Sequence, residues 1–201
     1  MRQARAAKEA QQLSQSFFAR SVHEVAPELI GCTFLVDGVG GLIVEVEAYD
    51  ESDPASHAYG GRTERNRSMF GPGGHAYVYR SYGVHWCLNL VCGGVGTASA
   101  ALLRALEPTD GLEVMAERRG LDDPRLLCSG PGRLCQALGI TSDHDGLPLD
   151  QAPFELFAPD TRVEVLNGPR IGIRRATELP WRYGFAGSRF LSRRFSGPRR
   201  A

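Results

Sequence analysis

The sequence predicts a single α+β domain. Three observations lead there: a length of 201 residues, suited to one domain; several short apolar or alternating segments joined by hairpin signals; and helical segments between them. No internal repeat and no linker composition divides the chain. Apolar residues make up 42% and charged residues 23%, the balance of an ordinary globular protein. The longest apolar runs fall far short of the ~20 residues of a membrane helix, so no membrane partner is expected.

In chain order, Met1 to Gln15 is polar and Ala/Gln-rich and lacks the apolar centre of a secretory signal; residues 1–14 read as a flexible leader. Ser14–Leu29 reads as one helix, with Phe17, Phe18, Val22 and Val25 at helical spacing and Pro27 and Gly31 at its end. Cys32–Val36 and Leu42–Tyr49 read as strands joined through Asp37-Gly38-Val39-Gly40-Gly41. Glu51–Gly74, with Pro54, Pro72 and five glycines, reads as a long irregular stretch, of the kind that is either functional or disordered. His75–Arg80 and Trp86–Cys92 are strands around Ser81-Tyr82-Gly83-Val84-His85, and Ala98–Leu106 is another. Thr109–Arg119 looks helical, with Thr109 or Asp110 as N-cap. Ser129–Leu138 looks like a further helix whose first turn is Ser129-Gly130-Pro131-Gly132. Val163–Leu166 and Arg170–Ile173 read as short strands. The domain is placed at 15–191, followed by a basic, disordered tail at 192–201.

The five cysteines are an odd number without Cys-x-x-Cys or zinc-ribbon spacing, which predicts reduced thiols and no metal. Lys+Arg and Asp+Glu are both 23, a zero sum that by itself argues against a nucleic-acid binder. The distribution is uneven. Asp37–Ala55 carries six acids and no base, Gly60–Arg80 four arginines and one acid, and Leu166–Ala201 nine arginines and one acid. Such segregation fits either solvated loops with a basic tail or a basic face on a neutral protein. Lys8 is the only lysine.

Strand alternation puts Ile43, Glu45, Glu47 and Tyr49 on one face, opposite Leu42, Val44, Val46 and Ala48. The carboxylates belong either to an exposed face or to a partly desolvated site, where one would be a general base. Tyr77 and Tyr79 share a face of the following strand; with Tyr49 they form either core or a cage that stacks a planar ligand. Asn89 lies in an apolar strand, as a structural amide or a reader of ligand edges. Arg104, in Leu102-Leu103-Arg104-Ala105-Leu106, needs an acid or an anion. Tyr82 beside Gly83 at a hairpin tip suits a wedge between base pairs. Arg62, Arg65 and Arg67 with the Gly-rich loop could meet phosphates, as could the backbone N–H groups of the Gly-Pro-Gly turn.

Taken in order, several motifs closely resemble the alkyladenine (3-methyladenine, methylpurine) DNA glycosylases. They are Val44-Glu45-Val46-Glu47-Ala48-Tyr49, Asp53-Pro54-Ala55-Ser56-His57-Ala58, Gly61-Arg62-Thr63-x-Arg65-Asn66-x-x-Met69-Phe70 and Tyr77-Val78-Tyr79-x-x-Tyr82-Gly83. Cys87-Leu88-Asn89, Leu102–Pro108 and Leu127–Leu138 continue the match, which spans roughly residues 15–190. The resemblance implies a compact domain around a curved antiparallel sheet flanked by helices, with a protruding hairpin that enters the DNA minor groove. It implies a monomer that acts on double-stranded DNA containing damaged purines, without cofactor or metal. Its setting would be the nucleoid-associated cytoplasm of a prokaryote or the nucleus of a eukaryote.

By the same resemblance, Glu47 matches the catalytic base that activates water. Tyr49, His57 and Tyr79 match the residues that hold a flipped base, Tyr49 on one face and the other two opposite, with Tyr77 in the same wall. Asn89 matches a residue that disfavours guanine, Tyr82 the intercalating residue, and Arg104 a residue near the flipped nucleotide and its phosphate. Arg62 and Arg65 are expected on the DNA backbone. The single lysine favours a monofunctional hydrolysis over strand cleavage through a Schiff base. Gly60, Glu64, Arg80-Ser81 and Val84 depart from the family pattern on the DNA side. Two alternatives stay open from the residues alone: a non-catalytic damaged-DNA binding module, and a metal-dependent hydrolase using His57, His75 and His85.

Overall fold

The computed structural model describes residues 11–195. Helices α1 (Gln15–Phe18) and α2 (Val22–Glu28) replace the expected single helix. The break falls at Ser21, whose backbone N–H is accepted by the Glu24 carboxylate at 3.3 Å while its hydroxyl caps the new helix. The Ser-x-x-Glu signal of a helix start thus overrides the continuous apolar spacing.

Strands β1 (Thr33–Val36) and β2 (Val39–Tyr49) are joined by Asp37-Gly38 alone, both at positive φ. This is the two-residue hairpin that Asp-Gly favours, so the expected five-residue connection is shorter. Strands β3 (Ala76–Ser81), β4 (His85–Cys92) and β5 (Ser99–Asp110) follow. Because β5 continues to Asp110, paired with Gly40, helix α3 (Leu112–Arg119) starts late, with Gly111 rather than Thr109 or Asp110 at its N-cap. Helices α4 (Pro124–Leu127) and α5 (Pro131–Leu138) precede β6 (Phe154–Phe157), β7 (Val165–Gly168) and β8 (Arg182–Phe185). Strands β6 and β8 are not expected from the sequence. Arg170–Ile173, expected as a strand, is irregular, because its polar groups turn to side chains of β2 and the loop after it.

All ladders are antiparallel, in the order β3-β4-β5-β2-β1-β6. Strand β8 pairs with Glu45–Glu47 of β2, beyond the end of β1, and carries β7. The result is a curled antiparallel sheet. One face packs on the helices: Ile43, Val46, Ala48, Val78, Leu88, Leu90, Ala101 and Leu103 share a core with Val22, Val25, Leu134 and Leu138. The other face bears a smaller cluster of Met69, Tyr77, Val91, Ala98 and Ala100, with Tyr49 and Tyr79 against it.

The strict alternation expected for β2 fails at one point. Register shifts between Ile43 and Glu45 and between Glu45 and Val46 place Val44 on β2 and Arg104 on β5 outside the ladder. Ile43 therefore faces the helix-side core with Val46 and Ala48 instead of sharing a face with Glu47. A bulge of this kind moves residues between faces and re-aims their side chains.

Both ends of the described chain are anchored. Leu13 N–H donates to Leu156 O at 2.8 Å, although residues up to 14 are expected as leader. Residues 192–195, expected in a disordered tail, lie against the sheet as a strap. Phe195 fills the space above Gly168 and Gly184, where a Cβ at Gly184 would collide with its ring. The rest of the expected leader and tail lies outside the described residues. Among the described residues, no helix is long and apolar enough to cross a membrane, and the five cysteines are buried and unpaired.

Candidate active site

One rank of residues crosses the curled sheet. Tyr77 on β3 pairs with Asn89 on β4, Asn89 with Leu102 on β5, Leu102 with Glu47 on β2, and Glu47 with Arg182 on β8. Directly paired residues share a face. Tyr49 and Tyr79, two positions along their strands from Glu47 and Tyr77, stay on that face. A cavity of about 690 Å³ opens over it, lined by Tyr49, His57, Arg65, Tyr77, Tyr79, Tyr82, Asn89 and Arg104, with Pro131 of α5 and the loop Ile171–Arg175. Its size is that of small-ligand sites.

Glu47 lies beneath this cavity and is fully buried. Its carboxylate accepts from Tyr49 Oη at 2.9 Å, Arg104 Nη1 at 3.2 Å and the Ile171 backbone N–H at 2.7 Å. All three donors line the cavity. Burial raises the Tyr49 phenol pKa, and the adjacent Glu47 charge raises it further, so the hydroxyl remains a donor. Arg104 is buried, which by itself lowers its pKa, but Glu47 and Glu45 outweigh that and raise it. Arg104 thus finds acids, one of the two partners its strand position demands.

The aromatic wall is cross-braced. The Tyr77 hydroxyl and His57 Nδ1 are 3.0 Å apart, and the His57 ring meets Tyr79 edge-on at 4.4 Å between centroids. Burial pushes the Tyr77 phenol up to about 12. His57 is open to the cavity on one side; burial on its other side, then Arg65, lower its pKa, which keeps it neutral at neutral pH. Asn66 holds the loop carrying His57, donating from Nδ2 to His57 O at 2.9 Å and to Gly61 O at 3.0 Å. The stretch expected to be irregular contains a 3-10 helix, Glu64–Phe70, that supplies this anchor. Asn89 donates to Tyr77 O at 3.0 Å and lines the cavity.

Tyr49 is fixed from behind. The Arg170 guanidinium lies 4.6 Å from its ring centroid and 5.1 Å from that of Trp181. Arg170 is fully buried in a two-pronged pair with Asp53 and donates to Ala48 O at 3.0 Å. Such a fork is stronger than a single contact and fixes orientation. At the cavity mouth, Tyr82 is 93% exposed at φ +50°, followed by Gly83 at φ +70°. A non-glycine residue in that region is uncommon and points to a functional constraint. Val84 beside it is also exposed.

The structure therefore gathers nearly all the expected site residues at one cavity. Two do not line it: Arg62 is exposed elsewhere, and Glu47 is buried behind Tyr49, Arg104 and Ile171. Sequence reasoning missed the Ile171 N–H, the rim arginines Arg174 and Arg175, the Arg170–Asp53 clasp and the role of Asn66. Asp53 and Asn66 stand within recognisable motifs; the 171–175 loop carried no local signal. His75 does not line this cavity, and among the described residues no group of three or more His, Cys, Asp or Glu is placed to hold a metal ion.

An aromatic cavity over a buried carboxylate, with arginines at its rim, meets the needs of a DNA glycosylase, which must bind a planar base and act at its sugar. The chain belongs to the methylpurine-DNA glycosylase family: the family model matches residues 16–189. Its relatives include proteins provisionally named 3-methyladenine DNA glycosylase. One from Rhodopseudomonas palustris strain BisB5 is 66% identical over 183 residues, 91% of each chain. One from Nitrosospira multiformis is 59% identical over 187 residues, 93% of this chain and 96% of the relative. One from Agrobacterium fabrum is 54% identical over 189 residues, 94% and 96%. The protein is a DNA glycosylase of base excision repair and its substrate is DNA.

Proposed function

We propose that the protein flips an alkylated or deaminated purine from duplex DNA into the aromatic cavity and hydrolyses its N-glycosidic bond. Glu47 serves as the base. The observation that carries this reading is the fully buried Glu47 carboxylate whose three hydrogen-bond donors all line the cavity. A carboxylate has about four acceptor positions, so Glu47 can accept one further bond, from a water.

Tyr49, Arg104 and Ile171 screen Glu47 from the cavity, so one of them shifts when substrate binds to admit that water, which gives its proton to the carboxylate as its oxygen bonds to C1′. The C1′–N bond breaks, and the base leaves with the electron pair. Glu47 also stabilises the positive charge that develops on the sugar. The products are a free base and an abasic site. Strand scission through an amine is not expected, since Lys8 is the only lysine.

The cavity favours electron-poor rings. Tyr49, Tyr77 and Tyr79 offer π-faces to a cationic purine such as 3-methyladenine or 7-methylguanine, and the neutral His57 adds no repelling charge. Such a base leaves as a neutral molecule. A neutral lesion such as hypoxanthine or ethenoadenine needs protonation or hydrogen bonding at its edge. Tyr82, exposed at the hairpin tip, fills the gap left in the duplex. The enzyme works as a monomer, and Asn89 narrows the cavity against guanine.

The test is an excision panel with duplex oligonucleotides carrying hypoxanthine, ethenoadenine, 7-methylguanine or a stable 3-methyladenine analogue, in the presence of EDTA. Release of at least one of these bases without strand cleavage is expected. Glu47→Gln is expected to lower release by about 10²–10⁴-fold with lesion binding largely retained. Full release by that variant refutes the role of Glu47. Tight lesion binding with no release by the unaltered protein would instead indicate a binding module.

A further inference from the structure

We propose that Ser192 and Glu45 are positioning residues for the reaction: they hold Arg104 so that one guanidinium nitrogen alone reaches Glu47, leaving that carboxylate an acceptor position for water. The inference rests on the reading of Glu47 as the base.

Glu45 and Glu47 are both fully buried on β2, yet their surroundings differ. Glu45 Oε1 accepts from Arg104 Nε at 3.1 Å, Arg182 Nε at 2.7 Å and Ser192 Oγ at 2.8 Å, while Oε2 accepts from the Ser192 N–H at 2.5 Å. Three of these four bonds converge on Oε1 and one on Oε2, and of the partners only Arg104 lines the cavity. Glu47 accepts three. Arg104 divides its fork: Nε goes to Glu45, Nη1 to Glu47, and Nη2 lies 3.5 Å from Ser192 Oγ. Arginine and a carboxylate otherwise pair through two parallel bonds. Such a pair at Glu47 would occupy both oxygens and weaken it as a base. Nε anchored on Glu45 excludes a fork through that nitrogen, and Ser192 Oγ beside Nη2 competes for the other. The bulge that displaces Arg104 from the β5 ladder provides this geometry.

Ser192 reaches Glu45 from the strap, 147 residues away in sequence. The strap is held by Arg182, which donates to Arg193 O and places its Cζ 3.9 Å from the Phe195 ring centroid. Neither Glu45 nor Ser192 lines the cavity. Their effect passes through Arg104, and loss of either should change chemistry more than lesion binding.

The experiment compares Ser192→Ala, Ser192→Thr and Glu47→Gln in single-turnover excision of the best-released lesion of the panel, alongside lesion-duplex Kd. Glu45→Gln is less suitable, because it leaves two buried guanidinium groups facing one carboxylate. Ser192→Ala is expected to slow excision about tenfold with Kd changed less than about twofold. Ser192→Thr, which keeps the hydroxyl, should recover most of the rate. An unchanged rate in Ser192→Ala, with Glu47→Gln inactive, overturns the positioning role alone. So does a rate loss accompanied by an equal loss of lesion binding, or one that Ser192→Thr fails to recover. Full excision by Glu47→Gln removes the reading of Glu47 and this inference with it.

Discussion

Two glutamates separated by one residue on the same strand have different surroundings, and their hydrogen-bond partners separate them. Glu45 is held by Arg104, Arg182 and Ser192, of which only Arg104 lines the cavity; Glu47 is held by three donors that all line it. Strand alternation places both on one face and makes either a candidate base, but it does not distinguish them by environment. Arg104 shows the same limit: its need for a charged partner follows from an apolar strand, whereas the partner's identity depends on the bulge. His57 carries a prediction at this scale. Its pKa is lowered by burial and by Arg65, so the unfolded chain protonates first, near pH 6.5. Folding should therefore lose free energy as pH falls through that value toward the folded pKa, and His57 should contribute no pH dependence well above it. Arg65→Ala should raise the His57 pKa, followed by NMR titration of the imidazole; an unmoved titration would remove Arg65 as a cause.

Elements decide where the aromatic groups stand. The β3–β4 hairpin brings Tyr77 and Tyr79 to the cavity and Tyr82 to its exposed tip, and alternation with a Tyr-Gly turn makes that much legible. Tyr82→Ser is expected to weaken lesion-duplex binding by about 1–3 kcal/mol, on the scale of base–aromatic stacking. It should leave single-turnover release at saturating enzyme nearly unchanged; unaltered affinity by titration would argue against insertion. The 171–175 loop is illegible for a physical reason. Its conformation is set by the Ile171 N–H on Glu47 and by Arg170 on Asp53, pairings that leave no periodicity behind. An apolar-looking Arg-Ile-Gly-Ile therefore reads as a strand without being one.

Across the whole molecule, the zero net charge resolves into two distributions. Part of the acidic stretch and part of the basic C-terminal stretch neutralise each other in buried pairs: Glu45 with Arg182, Asp53 with Arg170. Arg65, Arg174 and Arg175 instead ring the cavity. Two arginines of the basic stretch are thus structural, and in the proposed complex the DNA phosphates meet the arginines around the cavity. Arg174→Ala with Arg175→Ala should reduce the slope of log K against log salt by about 0.9 for each phosphate that these arginines neutralise. Measurement at several salt concentrations with lesion and plain duplexes checks this, and an unchanged slope would place the DNA elsewhere.

By itself the sequence determined the class of domain, most strands, the hairpin tip and the aromatic residues of the cavity, because these follow from short-range patterns and from motifs kept in order. Only the tertiary structure decided which carboxylate is held by the cavity's own donors, what holds Tyr49 from behind, and that residues 192–195 pack onto the sheet behind the site. Those outcomes depend on pairs more than a hundred residues apart, Glu47 with Ile171, Asp53 with Arg170 and Glu45 with Ser192. Such pairs form only when burial forces each charged group to find a partner wherever the fold supplies one.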